Sequence, residues 1–204
     1  MYLFLLFLFP LAYGLFVRPK RLLLAMATCF VAALICAFRA FFMFRTPYAG
    51  ASAVVYAANV WLNLAVLPLV VCAGSIVFLR GSLRARLAAF LDVALPFYAV
   101  YLPVEVLSQR VPLPFFVLFV KPLLYLAFIA VCAAALRKMG DVMAEKPVAT
   151  FALVLLVTVF SFVPALIETV WYYGSAPTMW GTLAGIYSAL ALLFGRMMRR
   201  YQHQ

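Results

Sequence analysis

The chain has 204 residues, of which 70% are hydrophobic and 10% charged, and its formal net charge is +11. A soluble domain is nearer half apolar and a quarter charged, so this composition excludes a water-soluble domain of ordinary size. It also leaves no room for a folded basic face with base-reading side chains, and the positive charge therefore does not indicate a nucleic-acid partner.

Long apolar segments account for nearly the whole chain, and each is long enough to cross about 30 Å of hydrocarbon. Each is expected to be an α-helix, because an open strand edge leaves unsatisfied backbone polar groups in lipid. The sequence predicts an all-α fold, a single domain of about seven transmembrane helices over 1–204 with no soluble domain. In chain order the predicted spans are 1–17, 22–44, 52–79, 88–107, 114–136, 148–172 and 177–196.

The first segment has two interpretations. Ala12, Tyr13 and Gly14 resemble a signal-peptide cleavage site, but no Lys or Arg precedes the apolar run and a basic cluster follows it. That order is the reverse of a secretory leader, so we expect residues 1–17 to be retained as the first helix.

Positive charges are concentrated in every second gap between the apolar segments. Cytoplasmic loops of membrane proteins carry an excess of Lys and Arg. The alternation therefore predicts an N-terminus outside and a C-terminus in the cytoplasm, in the lipid bilayer of a bacterial inner membrane. The basic segments are 18–21, 80–86, 137–146 and 196–200, whereas the other gaps hold only Arg45 and Arg110.

Apart from Asp92 and Arg196, which lie at the inner ends of their spans, four charged residues fall inside the predicted spans, all in the half that this topology places outside. Arg39, Glu105 and Glu168 come late in helices that run outward, and Lys121 comes early in a helix that returns. A charge at membrane depth is costly, so it is usually paired, hydrated or functional.

Uncharged polar residues accompany these charges at a similar depth. Tyr56, Asn59 and Asn63 are spaced to share one helix face, as are Tyr98 and Tyr101 with Glu105. The pattern predicts an outward-facing polar cavity. Its binding residues are expected to be Arg39, Asn59, Asn63, Glu105, Lys121 and Glu168.

A structural role for the same charges is the alternative. Arg39 could pair with Glu168 and Lys121 with Glu105, holding the helices in register as polar groups in bundles do. Prolines inside the spans, among them Pro68 and Pro122, predict kinks that shape packing or surround a site.

Three functions remain open, and a non-enzymatic one is favoured. In the first, the protein is a membrane module that binds, senses or transports a small polar solute. In the second, it is an accessory subunit that pairs with partner proteins. In the third, it is an enzyme that acts on a lipid-linked substrate. Enzyme chemistry is disfavoured because His203 is the only histidine and no hydrolase, zinc or phosphate-loop motif occurs. No cofactor or metal is expected, since the four cysteines form no CxxC pair.

Overall fold

The computed structural model describes residues 2–16, 22–42, 52–108, 115–143, 146–174 and 181. In these ranges the chain is helical and contains no strand, in agreement with the predicted fold class. The α-helices are α1 (Tyr2–Phe16), α2 (Leu22–Phe42), α3 (Ala53–Trp61), α4 (Leu67–Val77), α5 (Leu83–Ala88), α6 (Phe90–Ser108), α7 (Lys121–Val142) and α8 (Pro147–Tyr173), and π-helical turns at Leu62–Val66 and Phe116–Val120 precede α4 and α7.

Five helical segments of the described chain are long and apolar enough to cross a membrane, as is typical of an integral multi-pass membrane protein. They lie within a few residues of five predicted spans, and they are Leu22–Ala40, Ala53–Val77, Leu83–Leu107, Phe116–Val142 and Pro147–Tyr173. The apolar part of α1, Leu6–Phe16, is shorter than a full span. Apart from residue 181, the predicted span 177–196 lies outside the described residues, so the count of seven stays a prediction.

Two segments expected to be loops are helical. Helix α7 continues through the predicted gap at Arg137 and Lys138 to Val142, because the first proline beyond them is Pro147 and the helix accommodates Gly140. Helix α5 begins where the Ser82 hydroxyl accepts a hydrogen bond from the Ala85 N–H, a frequent N-terminal cap. Both segments were predicted to be loops on the basis of their charge alone, although most of their residues are compatible with a helix.

Helix α6 is at the centre of the bundle and contacts α1, α2, α4, α5 and α7. About two-thirds of the apolar part of the spans Leu83–Leu107 and Phe116–Val142 is buried inside the protein. In each of the other three spans the buried share is one-third or less. The outer helices α2 and α8 turn large apolar side chains away from the protein, among them Leu23, Val148 and Phe151. These side chains provide the contact with the lipid bilayer.

Contacts along the helices fix their relative directions. The Cys29 thiol on α2 donates to the Pro96 carbonyl on α6, and further along both helices Arg39 pairs with Glu105, so α2 and α6 run parallel. Lys121 at the start of α7 pairs with Glu168 near the end of α8, so these two helices run antiparallel.

Helix α3 is also antiparallel to α8. Tyr56 early in α3 bonds to Glu168 late in α8, and Trp61 later in α3 bonds to Ser161 earlier in α8. The helices α2, α6 and α8 therefore end where α3 and α7 begin. We call this end of the bundle, which holds Arg39, Glu105, Lys121 and Glu168, the polar end.

Candidate functional site

The first ion pair of the polar end joins α2 to α6. Arg39 Nη1 donates to Glu105 Oε2 at 2.8 Å and Nη2 donates to Oε1 at 3.3 Å, so the guanidinium contacts both carboxylate oxygens. Arg39 Nη1 also donates to the Tyr101 hydroxyl. The two charged side chains are largely buried, and two-pronged arginine–carboxylate pairs are strong and directional. This pair fixes the end of α2 against the end of α6.

The second ion pair is fully enclosed and joins three helices. Lys121 Nζ donates to Glu168 Oε1 at 2.8 Å, and the Tyr56 hydroxyl donates to the same oxygen at 3.0 Å. The Lys121 and Glu168 side chains are only 1% and 3% exposed. Removing each ion from water costs several kcal/mol, which close pairing and further hydrogen bonds have to offset.

The partners differ from those expected from the sequence. Arg39 pairs with Glu105 rather than Glu168, and Lys121 pairs with Glu168 rather than Glu105. The expected pairing was wrong because the position of a charge along a span indicates its depth but not which way its helix faces. Since α2 packs on α6 and α7 packs on α8, each cation meets the glutamate of its neighbouring helix.

The π-helical turn at Leu62–Val66 and the proline that follows it deprive two backbone carbonyls of their usual helical donors four residues ahead. The Leu67 N–H donates to the carbonyl of Leu62, the first residue of the turn. It therefore does not donate to the Asn63 carbonyl, which would be its acceptor in a regular α-helix. Pro68 has no N–H to donate to the Leu64 carbonyl four residues earlier. An unsatisfied backbone group is costly in the membrane interior, so both carbonyls need donors from elsewhere.

Two tyrosines of α6 supply these donors. The Tyr98 hydroxyl donates to the Leu64 carbonyl at 2.7 Å, and the Tyr101 hydroxyl donates to the Asn63 carbonyl at 2.8 Å. Tyr101 also accepts from Arg39, and it thereby connects the π-helical turn to the first ion pair. The predicted shared face of α6 is thus directed at the turn between α3 and α4.

A second π-helical turn, Phe116–Val120, stands directly before Lys121. As at the first turn, the residue after the turn donates to a carbonyl five residues earlier: the Lys121 N–H donates to the Phe116 carbonyl. A proline, Pro122, follows here as well. The Phe116 ring stacks on Trp171 of α8 with centroids 4.5 Å apart. Such turns occur often at functional sites, and this one fixes the start of α7 beside the end of α8.

The Lys121–Glu168 pair retains hydrogen-bonding capacity that the described residues do not meet. Glu168 Oε2 and the Tyr125 hydroxyl are buried and have no hydrogen-bond partner there. The ammonium of Lys121 carries three N–H groups, and the described chain offers it one acceptor, Glu168 Oε1. Tyr125 follows Lys121 by one helical turn and lies on the same face of α7. We call Lys121, Tyr125 and Glu168 the Lys121–Glu168 site.

Aromatic rings separate this site from the outer surface of the polar end. Tyr56 meets Tyr172 and Tyr173 edge to face, with centroids 5.2 Å and 5.6 Å apart. Tyr172 and Tyr173 are themselves exposed at the end of α8. The site therefore lies beneath a layer of rings, close to the end of the bundle.

The two asparagines are placed differently from the charges. The side chains of Asn59 and Asn63 are half-buried and make no hydrogen bond within the described part of the chain. Asn63 contributes its backbone carbonyl instead. The π-helical turn interrupts the regular spacing after Trp61, whose indole N–H donates to Ser161 at 2.8 Å.

The glutamates are paired with cations, Glu105 with Arg39 and Glu168 with Lys121, and this arrangement differs from that of two carboxylates sharing a proton. The described residues contain no group of three His, Cys, Asp or Glu side chains that could hold a metal ion.

In comparisons with protein-family models, curated proteins and solved structures, nothing matches this chain.

Proposed function

We propose that this multi-pass membrane protein binds a small polar solute at the Lys121–Glu168 site, as the binding step of sensing or transport. One observation carries the proposal. A buried ion pair and a buried tyrosine hydroxyl retain unmet donors and acceptors at the same place. Buried polar groups are almost always hydrogen-bonded, so this combination favours a site that is completed by a ligand.

The charges of the site indicate the class of solute. Lys121 and Glu168 neutralise each other, and a ligand with net charge would add an uncompensated charge in a poorly solvated interior. A neutral or zwitterionic solute avoids that cost. Its donor would bond to Glu168 Oε2, and its acceptor would take the remaining N–H groups of Lys121.

The other predicted binding residues have supporting roles in this proposal. Arg39 and Glu105 hold α2 against α6 at the same end of the bundle. Asn59 and Asn63 on the α3 side are half-buried and offer amide groups as secondary contacts.

The orientation follows from the charges of the opposite end. Arg80 and Arg84 are exposed there, beyond the end of α4. Basic loops remain on the cytoplasmic side, so we place the polar end outside, with the N-terminus outside, the C-terminus inside and seven spans in a bacterial inner membrane.

A thermal-shift screen on protein purified in mild detergent tests the proposal. The panel contains amino acids, betaines, polyols, amines and carboxylates. We expect a saturable rise in Tm with a neutral or zwitterionic compound, because a ligand that binds the native state stabilises it. Tyr125→Phe removes one partner of the solute and should weaken the response. The matched variant Tyr13→Phe, which removes another buried hydroxyl without a described partner, should leave it unchanged.

Two outcomes contradict the proposal. One is that no compound raises Tm in the wild type. The other is that Tyr125→Phe and Tyr13→Phe respond alike to the compound that does. Mass spectrometry of the same preparation separates the alternatives, because a stoichiometric protein partner would identify the chain as an accessory subunit.

A further inference from the structure

An apolar groove runs between α7 and α8, away from the polar end. Its volume is about 170 Å³, and it is open along one side. The one polar side chain that lines it, Thr158, already donates its hydroxyl to the Val154 carbonyl. The groove therefore fits a hydrocarbon chain rather than a polar molecule. Its lining is Ala135, Leu136, Met139, Leu153, Val154, Val157 and Thr158.

Two exposed lysines stand at the end of this groove where α7 finishes and α8 begins. Lys138 is one turn from the lining residue Ala135 on α7. Lys146 is the residue directly before α8, and it precedes the lining residue Leu153 by seven positions, or about two helical turns. The cationic groups thus lie toward the membrane surface, and the apolar lining lies deeper.

The nearby carboxylate of Asp141 does not neutralise the two lysines. Asp141 pairs with Arg84 at 2.7 Å, which leaves Lys138 and Lys146 without a described carboxylate partner. A single molecule that complements both features carries an anionic head and a hydrocarbon tail. Basic pockets between membrane helices on the cytoplasmic side bind anionic lipid headgroups in this way.

We propose that the groove between α7 and α8 binds an anionic phospholipid. One acyl chain lies along Leu136, Val154 and Val157, and the phosphate is held by Lys138 and Lys146. This site is separate from the Lys121–Glu168 site and does not depend on the proposed solute.

The test compares phosphatidylglycerol with phosphatidylcholine of the same acyl chains, added to the full-length protein in detergent. Native mass spectrometry counts the retained lipids. We expect preferential retention of phosphatidylglycerol, and about fivefold weaker binding in Lys146→Gln, since each lysine near an anionic headgroup contributes on the order of 1 kcal/mol. Arg80→Gln is the charge-matched control, because it removes an exposed cation that does not line the groove and lies on neither α7 nor α8.

A second pair of variants tests the hydrocarbon part. Val154→Trp fills the groove and should abolish the preference, whereas Val148→Trp places the same side chain on an exposed part of α8 and should preserve it. Equal retention of the two lipids would overturn the proposal. So would equal losses in Lys146→Gln and Arg80→Gln, which would mean that the lipid responds only to the general positive charge of this end.

Discussion

Replacing Lys121 with methionine is expected to lower the free energy of unfolding by about 3–5 kcal/mol. The reason is that Glu168 then remains at 2% exposure without a cation. The double variant Lys121→Met/Glu168→Met should recover most of the loss, because two apolar side chains of similar size bring no uncompensated charge into the interior. Denaturant titration in detergent measures the free energy of unfolding of the wild type, the single variant and the double variant.

The exposed pair Arg84–Asp141 provides the matched control for this cycle. Its side chains are 74% and 43% exposed. Arg84→Met should therefore cost less than about 1 kcal/mol, as is usual for ion pairs in contact with solvent. Equal costs for Lys121→Met and Arg84→Met, or a double variant as unstable as the sum of its two single variants, would contradict the enclosed pair described here.

Tyr98→Phe is expected to cost about 1–3 kcal/mol, since it leaves the buried Leu64 carbonyl without a donor. The size of the effect should depend on Pro68. In a Pro68→Ala background, residue 68 regains an N–H that can bond to the Leu64 carbonyl within the helix. The cost of Tyr98→Phe should then fall markedly, and a double-mutant cycle measures this coupling.

Tyr13→Phe is the control for the loss of a hydroxyl. The Tyr13 hydroxyl is buried but has no partner in the described chain, so its removal should change stability little. If Tyr98→Phe costs the same with and without Pro68, the hydroxyl does not replace the missing helical donor.

The grouping of four charged residues at one end of the bundle could be predicted from the sequence. Arg39, Glu105, Lys121 and Glu168 interrupt long apolar runs, and a charge in such a run is conspicuous whatever its neighbours are. The partners could not be predicted. They depend on helix rotation and on which helices are adjacent, and those properties arise from packing over the whole bundle.

The role of backbone chemistry was only partly predictable. Pro68 and Pro122 indicated interrupted helices, but their sequence positions do not reveal that π-helical turns precede them or that Tyr98 and Tyr101 satisfy the freed carbonyls. Tyr125 was absent from the predicted site, although its spacing of four from Lys121 was a usable signal. A tyrosine in an apolar run resembles the many aromatic residues that only pack, so burial was needed to distinguish it.

The proposed site depends most on the polar end facing the outside, and cysteine labelling on intact cells tests this directly. Ser52 and Ser82 are exposed caps of α3 and α5, separated by the span Ala53–Val77. In a background with the four native cysteines replaced by alanine, Ser52→Cys should react with a membrane-impermeant maleimide. Ser82→Cys should react only after the cells are permeabilised. The reverse pattern would place the polar end in the cytoplasm, and labelling of both from one side would show that Ala53–Val77 does not cross the membrane.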